Sequence, residues 1–237
     1  MWLPRAVGAT SPPDSAQSPI ALWGVALTRV LGVAVVGLAW DCALVHFAAP
    51  PPTAAWQHRQ VRLGFEVVYF DQHNWGCHVH GSTAAVEDGL TWVVEYQIDL
   101  DSSWTTRHAE ITGRSAAGLG RVLLEADGCG HWKIDGKPAP HLDGCLDVDL
   151  ESSAMTNALP VHRMALVIGQ RAAAPAAYVR AVGFAVERLE QIYVRAADEG
   201  DQQRYDYTAP LFDFGCRLVY DQTGLVLDYP GIAVRAG

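Results

Sequence analysis

The sequence predicts an all-β fold, mainly antiparallel: a single curved sheet or partly closed barrel, with a short helical turn and an extra N-terminal segment. Three features of its 237 residues carry that prediction. First, short segments rich in Val, Tyr, Trp, Ile and Thr recur from "VRLGFEVVYF" to "GLVLDYP". The breaks between them combine Gly with Asp, Asn or Pro, as in "EDG", "DGKP" and "DQTG". Such side chains fit a pleated, half-buried surface, and the Gly-containing breaks supply hairpin turns. Second, strands do not alternate with long amphipathic helices, which argues against a doubly wound α/β sheet. Third, residues 141–153, "HLDGCLDVDLESS", alternate at period two. Leu142, Gly144, Leu146, Val148 and Leu150 fall on one parity, and Asp143, Cys145, Asp147 and Asp149 on the other. Successive side chains of a strand point to opposite sides, so this stretch reads as one strand with an apolar and an acidic face.

Taken in order, residues 1–55 read as an extension. "VLGVAVVGLAW", residues 30–40, is apolar but flanked by Arg29 and Asp41, short of the roughly 20 residues that span a bilayer. It is open to three readings: a disordered or mis-started extension, a secretory signal, or a membrane-associated helix. "APPPTAA" then serves as a linker into one folded domain, residues 56–234. Within it "VRLGFEVVYF", "GLTWVVEYQIDL", "SWTTRHAEITGR" and "GRVLLEAD" are consecutive strands, and "SSAMTNALPVHRM" holds the helical turn. "AAAPAAYVRAVGFAVERLEQIYVRAADE" is alanine-rich enough for a helix. Strands are preferred there because Tyr178, Val182, Phe184, Val186, Ile192 and Val194 share one parity. "QQRYDYTAP", "FDFGCRLVYD" and "GLVLDYP" complete the sheet. So many strands must close or curl to remove their edges, and a curled sheet encloses either side chains or a ligand.

Composition narrows the partners. Half of the residues are apolar and 18% are charged, a globular balance. A formal net charge of -9 argues against nucleic acid and against an anionic membrane recognised through a general basic field. The five cysteines are widely spaced without a CxxC pair, so neither a disulfide framework nor a zinc knuckle is indicated, and a cytoplasmic location follows as the simplest expectation. Export or membrane association is the alternative if residues 20–48 are a signal or anchor.

The acidic face is the feature with most chemical content. Carboxylates two apart on a strand lie about 6.6 to 7 Å apart on one side. Unpartnered, they cannot leave water, so the row must meet solvent, a cation or hydrogen-bond donors. Arg163 is the nearest cation downstream and its planar fork suits a carboxylate, which makes a structural brace one reading. Sugar recognition is another, with Asp143, Asp147 and Asp149 accepting hydroxyl bonds beside Trp132, which "GHWKIDGKPAPHLDGC" returns towards this strand. A third is glycoside hydrolysis by Glu125 with one of these aspartates, since carboxylates about 6.5 to 9.5 Å apart suit inversion. Cys145 is a poor nucleophile beside aspartates. His78 and His80 share a strand face, but two ligands are fewer than a zinc site uses, so no metal and no cofactor is expected. Tyr205 and Tyr207 share a face, and Tyr193 is expected across the hairpin that turns at "DEGD", either as cross-strand packing or as a cavity wall with hydroxyl tips.

The segment "LLEADGCGHWKIDGKPAPHLDGCLDVDLESSAMTNALPVHRM", residues 123–164, closely resembles the signature of the putative glycolipid-binding protein family. "LTWVVEYQIDLDSSWTTR", "RLEQIYVR", "QRYDY" and "GLVLDYPGI" follow the same family order. Asn157, Pro160 and Arg163 match the pattern. Ser153, Ala154 and Met155 stand where a Thr-Pro-aromatic group is usual, Ala158 where threonine is, and His162 where arginine is. The resemblance implies an open or partly closed antiparallel barrel that binds glycolipid, with no established catalytic residues. The resulting expectation is a non-catalytic protein that holds a lipid or glycolipid in the concavity of its sheet. Glu125, Trp132, Asp143, Asp147, Asp149, Asn157, Arg163, Tyr193, Tyr205 and Tyr207 are its candidate ligand contacts. A hydrolase acting on a sugar-containing substrate and a structural or interaction domain remain as alternatives, and the N-terminal segment is the candidate membrane contact.

Overall fold

The computed structural model describes residues 47–237; the apolar run at 30–40 lies outside them. The strands are β1 Thr53–His58, β2 Leu63–His73, β3 Gly76–Glu87, β4 Leu90–Asp101, β5 Thr106–Ser115, β6 Gly118–Ala126, β7 Trp132–Ile134 and β8 Lys137–Pro138. After the crossing segment that carries β9 Asp147–Leu150 and helix α1 Ala158–Met164 come β10 Arg171–Ala173, β11 Ala176–Val179, β12 Val186–Leu189 and β13 Ile192–Arg195. The chain ends with β14 Gln203–Ala209, β15 Phe214–Tyr220, β16 Val226–Tyr229 and β17 Ala233–Arg235.

Fourteen of these strands form one sheet, in the order β10-β13-β14-β15-β16-β17-β1-β2-β3-β4-β5-β6-β7-β8. Consecutive strands are joined mostly by hairpins, as the Gly-containing breaks predict. At "EDG" the β3–β4 turn puts Asp88 at φ 49° and Gly89 at φ 78°, the pair of left-handed residues that matches the twist of the flanking strands. The sheet is open, with β10 and β8 at its edges, so a closed barrel does not form. Part of the reason is the second sheet, β12-β11-β9, which the sequence analysis did not anticipate. The two halves of the large sheet pack against this inner layer, so the apolar surface that ring closure would hide is covered from within.

Alternation on β2 to β6 sets the core. Val68, Phe70, Val79, Trp92, Val94, Ile98, Ile111, Val122 and Leu124 point inward and are buried. On the other half Tyr193, Tyr205, Tyr207, Leu218 and Tyr220 do the same, and both sets belong to one apolar cluster with Val148, Leu150, Met155 and Leu159 of the crossing segment.

The predicted strand at 141–153 is much shorter than its alternation suggests. Pro140–Leu142 is a 3-10 turn, Gly144 takes φ 88°, and only Asp147–Leu150 is extended. All four of those residues are buried, because β9 pairs in parallel with β11 between the two halves of the large sheet and has no solvent face. The helical turn falls where "SSAMTNALPVHRM" places it, as a 3-10 turn at Met155–Asn157 running into α1. Pro160 is tolerated because it lies in the first turn of α1, where its missing N–H has no intrahelical partner to lose. The region 176–195 is extended, in three separate strands broken around Gly183 and Glu190, so the shared parity there is not that of one strand. Among the described residues no helix is long and apolar enough to cross a membrane.

Candidate binding site

Three buried polar clusters fix the crossing segment inside the sheet. In the first, Glu66 breaks the inward apolar parity of β2 and is fully buried. Its Oε1 accepts from the Tyr96 hydroxyl at 2.7 Å and from the Ser153 hydroxyl, and its Oε2 from the Ala154 N–H at 2.8 Å. Burial raises the Glu66 carboxyl above its ordinary range, and those donors pull it part of the way back. In the second, Arg163 of α1 grips Asp147 with two bonds, Nε to Oδ1 at 2.9 Å and Nη2 to Oδ2 at 2.5 Å. Burial disfavours charge on both partners; the Asp147 carboxyl is raised by it, while Asp147 holds the Arg163 guanidinium firmly protonated. In the third, Asp149 accepts from Thr156 Oγ1 at 2.9 Å and from Gln191 Nε2 at 2.5 Å. Burial lifts its carboxyl to about 6.

The sequence-predicted contacts fall into two groups. Asp147, Asp149, Asn157, Arg163 and Tyr193 are brought together around the crossing segment. The Tyr193 hydroxyl donates to Asn157 Oδ1 at 3.2 Å, and Tyr193 pairs with Tyr207 across the β13–β14 hairpin as expected. Trp132 lies against the same segment, donating its indole N–H to the Cys145 carbonyl at 2.8 Å, with only 3% of its surface exposed. Tyr205 and Tyr207 are buried in an aromatic cluster with Tyr220 and Tyr229. Glu125 and Asp143 stand apart. Both are exposed; Glu125 lies on the outer parity of β6 while the strand aspartates are enclosed, so these carboxylates do not face one another across a cleft. The Cys145 thiol is pushed up to about 11, chiefly by burial and only secondarily by nearby acids. His78 Nδ1 lies 2.6 Å from Asp99 Oδ1, with His108 3.6 Å from the other oxygen. Among the described residues no group of three or more His, Cys, Asp or Glu side chains is placed to hold a metal ion.

What the sequence analysis missed is a cavity of about 440 Å3 at the end of the inner face, between the β5–β6 hairpin and the β11–β12 turn. Gly113 and Gly120, without side chains on the inward face, seat the Phe184 ring that forms one wall: a Cβ there would meet that ring at 2.8 and 2.5 Å. Phe184 covers the glycines from the β11–β12 turn with φ 51°, a conformation costly for a bulky residue and retained only where surroundings impose it. Val122, Ile134, Val182 and Val186 add apolar wall, and Ser115, Arg114, Arg121 and Asp135 add polar rim. The signal available in sequence was "ITGRSAAGLGR", where Gly113 and Gly120 occupy inward parity in otherwise well-formed strands.

The fold is thus an open antiparallel sheet folded around an inner layer, with a cavity of mixed polar and apolar lining at one end. Residues 53–235 match the putative glycolipid-binding family, and the chain belongs to that family. A solved structure from Pseudomonas aeruginosa, described as a DUF1089 family protein, is similar at 31% identity with a TM-score of 0.62, over 72% of this chain and 92% of that one. No curated protein matches the chain.

Proposed function

We propose that the protein binds a lipid or glycolipid without covalent chemistry, and that the cavity beside Phe184 receives the apolar part of the ligand. The observation that carries this reading is the cavity itself. About 440 Å3 lies open between the β5–β6 hairpin and the β11–β12 turn, within the size range of small-molecule sites, with mixed polar and apolar walls, one of them the strained Phe184, whose ring is seated on Gly113 and Gly120. The polar head then lies at the rim. Arg114 forms no ion pair among the described residues and can donate to a phosphate or to sugar hydroxyls, and Asp135 can accept from a sugar. On this reading Asp147, Asp149, Asn157, Arg163 and Tyr193 act as the brace that keeps the inner layer seated. Trp132, Tyr205 and Tyr207 pack behind it.

The test is native mass spectrometry with lipid extraction on the full chain purified from its source, alongside Gly120→Leu, whose side chain would push the Phe184 ring off its seat and into the cavity. A stoichiometric lipid in the wild type that is lost in G120L, with far-UV circular dichroism unchanged, is the expected result. A ligand-free wild type, or a lipid kept equally by G120L, overturns the assignment of the cavity.

A further inference from the structure

The Phe184 ring covers a part of the sheet that has almost no side chains of its own. Gly113 and Gly120 are direct cross-strand partners on the inner parity of β5 and β6, and the next inward pair towards the hairpin tip is Ser115 with Gly118. The inner face is therefore nearly bare over about 7 Å, whereas one row deeper Ile111 and Val122 close the core. The three atoms nearest a Cβ built at Gly120 all belong to Phe184, so the ring alone accounts for the missing side chain there. Gly113 is also confined by the Val93 carbonyl, 2.5 Å from its Cβ position. Aromatic cover of glycine in a sheet ordinarily comes from a neighbouring strand in relaxed backbone. Phe184 arrives instead from a turn of the other sheet, at φ 51° directly after Gly183 at φ 81°. That turn is fastened at its base, where the Arg180 N–H donates to the Ala185 carbonyl at 3.0 Å and the Ala181 N–H donates to Glu151 Oε2 at 2.8 Å. Above the base, Val182 is 42% exposed.

We propose that Phe184 is the gate of the cavity: its ring occupies the seat of the ligand's straight alkyl end, and the β11–β12 turn lifts it off the glycine pair as that chain enters. The inference rests on the lipid-binding reading above. Its support is that both states of the turn are physically provided for. In the closed state the ring keeps the bare strip dry, at the cost of a left-handed bulky residue. In the open state an alkyl chain covers the same strip, so apolar contact is exchanged like for like, and the strain at Phe184 is released. The hinge is the left-handed pair Gly183 and Phe184, and the bonds at Arg180 and Ala181 hold the rest of the turn in place. A closed population lowers the apparent affinity of the site by the fraction that is open.

The experiment is stopped-flow fluorescence of the full chain mixed with dansyl-labelled undecanoic acid, a straight alkyl probe, in wild type and Phe184→Ala, with urea unfolding of both. In wild type the observed rate should level off as probe concentration rises, because opening of the turn becomes limiting. In F184A it should rise linearly, and Kd should fall by at least about fivefold as the closed population is removed. If F184A does not fold, Phe184→Gly carries the same expectation, since glycine suits φ 51° and removes the ring and the strain together. A ring that serves stability alone predicts a lower urea midpoint in F184A with no gain in association rate, and that result overturns the gate. Weaker, slower binding by F184A also overturns it, because the ring would then be a wall against which the ligand packs. Equal rates and affinities in the two proteins overturn the gate and leave the lipid-binding reading standing. Probe binding by neither protein overturns the gate as well, and if native mass spectrometry then finds no lipid in the wild type, the lipid-binding reading falls with it.

Discussion

Replacing Asp149 with asparagine should remove a specific portion of the pH dependence of stability. Asp149 is enclosed, and burial lifts its carboxyl from 3.8 to about 6 despite the bonds from Thr156 and Gln191. A folded-state value above the unfolded one means that the native state binds the proton more tightly. The resulting stabilisation is fully present below about pH 4 and is lost as pH rises through 6. At about 1.4 kcal/mol per tenfold change in proton affinity, the loss amounts to about 3 kcal/mol. Buried histidines act with the opposite sign over an overlapping range. His58 is lowered to about 4 and His162 to about 3, both chiefly by burial, so their stabilisation is present above pH 6.5 and is lost as pH falls. The wild-type profile mixes both trends, and the difference between wild type and D149N isolates one. The side-chain amide of D149N can still accept from Thr156, and Gln191 can turn its own amide to present oxygen. Urea unfolding at pH 4.5 and pH 7.5 should therefore show D149N gaining about 2 kcal/mol relative to wild type on going to the higher pH, because part of the full effect lies below pH 4.5 and any pH-independent cost of impaired hydrogen bonding cancels in the comparison. A difference that does not change with pH, or that changes in the opposite direction, would refute the claim that Asp149 is held protonated by its enclosure.

Three further substitutions test the interior and one outer contact. Arg163→Met leaves Asp147 buried without its partner and should cost about 3 to 5 kcal/mol in urea unfolding, with D147L/R163M recovering most of the loss. Gly81→Ala places a Cβ 2.0 Å from Tyr96 Cζ and 2.2 Å from its hydroxyl. It should cost at least about 2 kcal/mol by displacing the ring and depriving buried Glu66 of a donor, and a loss under about 0.5 kcal/mol would show that the contact yields freely. Asp99→Asn, between the part-exposed His78 and His108, should change stability by less than about 1 kcal/mol at pH 7.

How far the sequence could be read follows from where the determining contacts lie. Turn chemistry is local, so Asp88 with Gly89 marks the β3–β4 hairpin without knowledge of anything else, and the strands it joins follow from their own alternation. Parity is also local, but only within one strand. Across 178–194 it was counted through Gly183, where the chain turns back, so the strands were right and the common face was not. The cavity needed two glycines on adjacent strands and an aromatic residue more than 60 positions later, a meeting that no window of sequence contains. Glu66 was not visible as a buried acid, because Leu63, Phe65, Val67 and Tyr69 make the opposite parity of "LGFEVVYF" wholly apolar, and its partners Tyr96 and Ser153 come from β4 and the crossing segment.

The acidic strand shows the same limit from the other side. Alternation of aspartate with apolar residues ordinarily separates a wet face from a dry one, because a sheet normally has water on one side. β9 is the exception produced by enclosure: Val148 and Leu150 lie within the apolar core, and the other face meets Arg163, Thr156 and Gln191. Once both faces are dry, each carboxylate must find its own partners, and the two nearby aspartates find different ones. Asp147 takes a cation and Asp149 takes neutral donors, so no shared cation is needed between them. Asp143 retains its exposure because Gly144 turns the chain before the enclosed strand begins, and it uses its backbone carbonyl, rather than its carboxylate, to accept a bond from Arg188 at 2.5 Å. The row that sequence presents as one surface is thus divided by geometry into an exposed residue and two separately satisfied buried acids.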